Sequence, residues 1–289
     1  MKILAALALT IVSASAFAVD LPINSLETKT NFKSKVSKIP REAGTNYNFE
    51  GIVKLDNCSG SLVILNGMPT SAKAIVMTNG HCLGLPGDRF LKPGEVLVNR
   101  PMGRAMKIFK TLKDLKPIQA TKILYATMTD TDVAYYELNQ TYDQIKSAYD
   151  IDPLELDVNR PRVGNKLEII SGYWDVGWRC SIDAFIPKMK EADWSWVDSI
   201  RYTSTCTTMG GTSGSPIIAA GERRVIGINN TSNEKGENCT MNNPCEVGSN
   251  GEVIARKGVR YGQQVYPLYT CLTPAFDIDL SIPGCDLPK

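Results

Sequence analysis

Three short segments hold residue types that together perform acyl transfer. The first is Thr78-Asn79-Gly80-His81-Cys82, which contains the chain's single histidine. The second opens Asp132-Val133-Ala134, and the third is Gly211-Thr212-Ser213-Gly214-Ser215-Pro216. A serine hydroxyl is a poor nucleophile at neutral pH, so it needs a base within hydrogen-bond reach, and that base needs an orienting partner. His81 is suited to be the base, because imidazole titrates near working pH. Asp132 can hold its tautomer and stabilise the imidazolium that forms during attack by Ser213. Glycines around Ser213 allow a sharp turn, after which the N–H groups of Gly211 and Ser213 can bind a developing oxyanion. Asp130 and Ser215 are second candidates for the acid and the nucleophile, each two residues away.

These residues need rigid elements to bring them together. From Phe49 onward the texture is short apolar runs broken by Gly, Asn and Pro. Residues 51–55, 61–65 and 74–78 read as strands, the second ended by the turn signal Asn66-Gly67 and the third leading into His81. Residues 132–138 form another. The polar stretch 139–162 reads as a connector, with a weak helical pattern at 142–149. Strand texture returns at 166–172, 181–186, 194–202, 216–219 and 224–229. Short strands at short intervals argue for an all-β sandwich or barrel. Trp194 and Trp196 alternate, so they share one strand face, as core or packing residues do. Lys107, Lys110, Lys113 and Lys116 recur every third residue and read as a solvated surface segment.

The first 18 residues look like an export signal: Lys2, an apolar run over 3–12, and Ala16-Phe17-Ala18, with cleavage expected before Val19. That run is too short to span a membrane, and no other run is long enough. Residues 19–46, polar and lysine-rich, read as a pro-segment or strap. Export accounts for the eight cysteines, Cys58, Cys82, Cys180, Cys206, Cys239, Cys245, Cys271 and Cys285, as disulfides. No C-x-x-C pair occurs and the one histidine has another use, so no metal is expected. With 32 basic and 30 acidic residues, nothing points to a nucleic-acid partner.

Four motifs in this order resemble the chymotrypsin-like serine proteases. Cys58-Ser59-Gly60-Ser61-Leu62 with Ile75-Val76-Met77-Thr78-Asn79-Gly80-His81-Cys82 resembles the first barrel of that family. Asp132-Val133-Ala134 resembles its D-[IV]-A segment, and Ile170-Ser171-Gly172-Tyr173 resembles the opening of its second barrel. Gly211 to Pro216 resembles its G-D-S-G-G-P, in the G-x-S-G-S-P form of bacterial members such as the glutamyl endopeptidases. The resemblance spans about residues 47 to 275. It favours Asp132 over Asp130 and Ser213 over Ser215; Ser215 also breaks G-x-S-x-G, which argues against an α/β-hydrolase elbow.

The resemblance implies two packed, six-stranded antiparallel barrels, at 47–150 and 151–289, with the cleft between them. It implies a secreted or periplasmic serine endopeptidase that needs no cofactor and acts as a monomer on protein or peptide substrates. Cys58–Cys82 matches the family bridge beside the catalytic His, and Cys180–Cys206 would join paired strands. Cys239–Cys245 and Cys271–Cys285 are expected to close a surface loop and tie down the tail, although connectivity does not follow from sequence.

Two departures matter. Position 212 is Thr, where chymotrypsin has the Asp that pairs with a new N-terminal amine, so another contact must settle the oxyanion loop. Thr207 stands where trypsin-like members carry an acidic residue. A pocket lined by Thr207, Thr208, Asn229 and Asn230 would be small and polar, with weak preference. Two rival readings fit the same residues: a catalytically silent binding protein on this fold, and an esterase-like hydrolase.

Overall fold

The structure, a computed structural model, describes residues 47–289. The expected signal at 1–18 and the pro-segment at 19–46 lie outside the described residues. Among the described residues, fifteen strands dominate. The first group is β1 (Ile52–Lys54), β2 (Ser59–Leu65), β3 (Lys73–Thr78), β4 (Val96–Thr111), β5 (Asp114–Thr127) and β6 (Val133–Thr141). After helix α1 (Tyr142–Tyr149) come β7 (Leu154–Leu156), β8 (Lys166–Ser171), β9 (Val176–Glu191) and β10 (Trp194–Tyr202). The chain ends with β11 (Pro216–Ala219), β12 (Arg224–Ser232), β13 (Cys245–Val247), β14 (Val253–Ala255) and β15 (Arg260–Gln264).

Pairing runs β1-β4-β5-β6-β3-β2 and returns from β2 to β1, all antiparallel. A second antiparallel circuit runs β12-β11-β8-β9-β10-β15 and returns from β15 to β12. This is the expected all-β architecture of two six-stranded units. Short β7 joins them, parallel to β2 on one side and to β12 on the other.

Burial follows the alternation of apolar residues in these strands. In the first circuit, Val53, Leu62, Val76, Ile108, Ile123 and Tyr136 are fully or almost fully buried. Leu167, Ile169, Ile182, Ile200, Ile217 and Ile226 fill the second. Between them, side chains from both circuits share one cluster, including Val63, Met77, Leu154, Ile218, Val225 and Ile228. Trp194 and Trp196 do what their alternation predicts: they leave β10 to pack on the first circuit, their indole N–H groups donating to Leu91 O (2.9 Å) and Met128 O (3.2 Å).

One large element was not expected from the sequence. Residues 96–127 form the β4–β5 hairpin, although this stretch carries the lysine series and Pro101 and Pro117. Lys107 and Lys110 lie on β4 and Lys116 on β5. Lys110 pairs with Asp150 (2.9 Å) and Lys116 with Asp114 (2.8 Å), so the series decorates strands. The helix at 142–149 does form, capped by a Thr141–Gln144 box and ended by Asp150 in the left-handed conformation. All four expected disulfides are present: Cys58–Cys82, Cys180–Cys206, Cys239–Cys245 and Cys271–Cys285.

Candidate active site

β3 delivers its last residue, Thr78, to a tight 3-10 turn over Gly80–Cys82, and that turn presents His81. The backbone here lies so close to β5 that a Cβ on Gly80 would sit 2.2 Å from Thr127 O. Cys82 is bonded to Cys58 at the entry of β2, which closes the turn from the other side. Asp132 immediately precedes β6, the neighbour of β3, so strand pairing brings carboxylate and imidazole together.

The contact is direct. His81 Nδ1 lies 2.6 Å from Asp132 Oδ2, and the His81 backbone N–H donates to Oδ1 at 3.1 Å. Asn79 Nδ2 donates to Asp132 O at 2.7 Å, which fixes the acid's own backbone. Asp132 is fully buried, while 21% of the His81 side chain is exposed. Burial alone pulls the imidazole pKa down. The Asp132 charge and hydrogen bond, with the charge of Glu191 beyond, outweigh it and leave the pKa above its ordinary 6.5. The imidazolium is thus stabilised relative to that of a free imidazole, as a base that must hold a proton during a reaction requires.

Ser213 sits in the turn leading into β11. Gly211 (φ 88°) and Gly214 (φ 79°) on either side occupy the left-handed region. Side chains are excluded there for a second reason: a Cβ on Gly211 would meet Tyr173 at 2.7 Å, and one on Gly214 would meet Ser59 O at 2.2 Å. The backbone amides of Gly211 and Ser213 have no partner among the described residues, which leaves them available to an oxygen. The Ser213 hydroxyl donates to Asn230 O at 3.1 Å and makes no hydrogen bond to the His81 ring. His81, Asp132 and Ser213 nonetheless line one cleft.

The loop is held by contacts that the sequence did not disclose. Thr212 is buried; its hydroxyl donates to Met209 O, and Asn229 Nδ2 donates to Thr212 O (3.0 Å) and Oγ1 (3.2 Å). Asn229 thus ties β12 to the turn where chymotrypsin uses an Asp and a chain terminus. Ser59, from the first circuit, donates its backbone N–H to Ser213 O (2.8 Å) and its hydroxyl to Gly211 O (3.2 Å). Its only sequence signal was its place beside Cys58.

The four expected pocket residues divide. Thr208, Asn229 and Asn230 line the cleft, whereas Thr207 is exposed and outside its lining. The Asn230 side-chain amide is buried and has no hydrogen-bond partner among the described residues. Sequence reasoning missed Glu191, at the end of β9, which is 4% exposed and lines the same cleft. Burial raises its carboxyl pKa, against hydrogen bonds from Thr231 and the Asn242 backbone and the charge of His81. Nothing in a lone Glu at a strand end signals this. Cys58, Cys82 and His81 also lie close together, but the two sulfurs are bonded to each other and offer no thiolate.

A family of trypsin-like peptidase domains matches residues 58–228, more than half of the chain and the whole span from Cys58 through Ser213 to β12. The chain belongs to the trypsin-like peptidases. No curated protein matches it. Among solved structures it is similar to the protease domain of MamO from Magnetospirillum magneticum, at 11% identity and a TM-score of 0.44, covering 75% of this chain and 92% of that one. It is also similar to Nocardiopsis protease, at 14% identity and a TM-score of 0.44, covering 76% and 94%. Thermobifida fusca protease A is similar at 12% identity and a TM-score of 0.42, covering 76% and 92%. Within this trypsin-like peptidase, the segments that meet at the cleft come from both strand circuits. His81 and Asp132 belong to the first, Ser213 to the second.

Proposed function

We propose that this trypsin-like peptidase is a secreted serine endopeptidase working through His81, Asp132 and Ser213. The observation that carries the reading is the 2.6 Å contact between the His81 ring and a fully buried Asp132 in the cleft that Ser213 lines. With Nδ1 bonded to Asp132, the other ring nitrogen, Nε2, is the one left to act as base. Attack requires the Ser213 hydroxyl to exchange its bond to Asn230 O for one to that nitrogen; such bonds often tighten only when substrate is bound.

Ser213 Oγ then attacks the scissile carbonyl carbon while His81 takes the hydroxyl proton. The carbonyl oxygen becomes an oxyanion that accepts from the amides of Gly211 and Ser213. Collapse breaks the C–N bond, and the imidazolium returns its proton to the leaving amine. Water repeats the sequence on the acyl-enzyme, freeing the acid and Ser213. Asp132 stays ionised throughout and stabilises the imidazolium. No cofactor takes part in these steps. The substrates are proteins or peptides, and the chain acts as a monomer. Four disulfides suit an oxidising compartment, so the enzyme works in the periplasm or the medium.

Ser213→Ala tests the assignment. Casein hydrolysis should fall by about six orders of magnitude, the loss typical of a catalytic serine. A variant that still cleaves casein at a comparable rate would remove Ser213 from the mechanism.

A further inference from the structure

The cleft contains a carboxylate that the proposed mechanism does not use. Glu191 is 4% exposed, yet it ends the longest strand of the second circuit and faces the cleft. Its position relative to the chemistry follows from a chain of contacts. The His81 ring meets Phe90 edge-on, with centroids 6.2 Å apart, and Phe90 meets Trp194 the same way at 5.7 Å. Trp194 is the direct cross-strand partner of Glu191. Contacts thus run from Glu191 through Trp194 and Phe90 to His81, and all four line the cleft that Ser213 also lines.

The carboxylate is anchored but not saturated. Oε2 accepts from Thr231 Oγ1 at 2.6 Å and Oε1 from the Asn242 backbone N–H at 2.7 Å. A carboxylate has about four acceptor sites, so further donors can be taken. Thr231 directly follows Asn230, whose carbonyl holds the Ser213 hydroxyl. The other charged groups of the cleft lining are His81, Asp132 and Glu234; among the described residues, no Lys or Arg lines it. Arg260 lies behind the loop and donates to Thr208 O at 3.1 Å. Asp132 is already engaged by His81. Among the cleft's aromatic residues, Phe90 is exposed while Trp194 and Trp196 are buried behind it, and an aromatic face attracts a cation.

We infer that Glu191 is a specificity-determining residue: it gives the cleft a preference for peptides with Lys or Arg near the scissile bond, at a position other than the one entering the Thr208-lined pocket. The inference rests on the protease reading above and names the substrate class for it. An ammonium or guanidinium passing the Phe90 ring meets a carboxylate that water reaches poorly, where the Coulomb attraction is stronger than at the surface and must outweigh the desolvation of the cation. Burial holds the Glu191 carboxyl above the ordinary carboxylate range, so the preference requires its ionised form and fades as pH falls. Dividing kcat/KM for a Lys peptide by that for its neutral counterpart cancels the titration of His81, which both substrates share.

The test uses the full-length enzyme and quenched-fluorescence peptides identical except for Lys or norleucine at each of the second, third and fourth positions before the cut. Labelling of the wild type with a fluorophosphonate runs alongside. We expect a Lys-to-norleucine ratio of at least about tenfold at one position, the discrimination that one pocket contact typically supports. The ratio should fall toward one in Glu191→Gln and, in the wild type, as the carboxyl is protonated; the second readout stands even if the variant does not fold. A labelled wild type whose ratio is near one everywhere, or is unchanged in Glu191→Gln, overturns the inference and leaves the protease reading intact. A wild type that neither takes the label nor cuts either peptide overturns the protease reading itself.

Discussion

At the scale of residues, the site depends on how His81 titrates. Two opposed effects act on it: burial disfavours the imidazolium, and the Asp132 carboxylate 2.6 Å away favours it. The carboxylate wins, so the ring should hold its proton to a pH above 6.5. Since protonated His81 cannot accept the Ser213 proton, kcat/KM should fall with decreasing pH through that raised value. Because the chain has one histidine, NMR titration observes this ring alone. In Asp132→Asn burial is opposed only by the more distant charge of Glu191, so the pKa should move below its wild-type position, and kcat should fall by about four orders of magnitude, as when a catalytic Asp is so replaced. An unchanged titration would show that Asp132 does not govern the ring.

That His81 and Ser213 belong to one cleft was legible because their flanking glycines are constrained by backbone geometry, Gly80 by the approach of Thr127, and Gly211 and Gly214 by positive φ and crowding; Asp132 was legible through the Asp-Val-Ala segment. Asn229 and Glu191 were not legible in these roles. Asn229 was read as a pocket residue, but its amide is spent on Thr212. The role of Glu191 depends on where a long hairpin ends in space, which no local pattern encodes.

At the scale of elements, the turn proposed to bind the oxyanion is set by neighbours from two strand circuits. Asn229 on β12 holds it from one side and Ser59 on β2 from the other. Replacing Asn229 with Ala removes one donor from buried Thr212 O, which keeps the Ser215 N–H at 3.0 Å, so the loss should be about 0.5–1.5 kcal/mol. It should also slow serine labelling, because the amides of Gly211 and Ser213 would lose their fixed direction. Thermal unfolding and labelling kinetics check the two effects separately; a variant that is less stable but labels at the wild-type rate would show that Asn229 supports the fold and not the turn. The hairpin β4–β5 explains a different gap in the sequence reading. Its outward residues are charged and its pattern is broken by Pro101, so alternation was masked by the lysines that solvate one face.

At the scale of the whole molecule, the residues proposed to be catalytic lie on separate circuits, so their alignment is only as rigid as the packing between the two. One buried cluster draws on both circuits, and Trp196 crosses from β10 to the carbonyl of Met128. Trp196→Ala should cost about 3–5 kcal/mol, the range for deleting a buried aromatic. Calorimetry should show a single transition at a lower temperature, with both circuits still melting together. Two separated transitions in the wild type would contradict that shared packing. Short strands and turn signals pointed only to an all-β sandwich or barrel; the two six-stranded units followed from the resemblance to chymotrypsin-like proteases, and the seam between the circuits was visible only as the Trp194–Trp196 alternation.

The central claim is that these two circuits assemble one activated serine. Fluorophosphonates react with a serine only when a base has activated it, so labelling the folded protein and mapping the modified peptide addresses the claim directly. We predict stoichiometric modification at Ser213, abolished in His81→Ala and slowed at acidic pH. Absence of modification in the folded protein, or modification at another serine, would contradict the account.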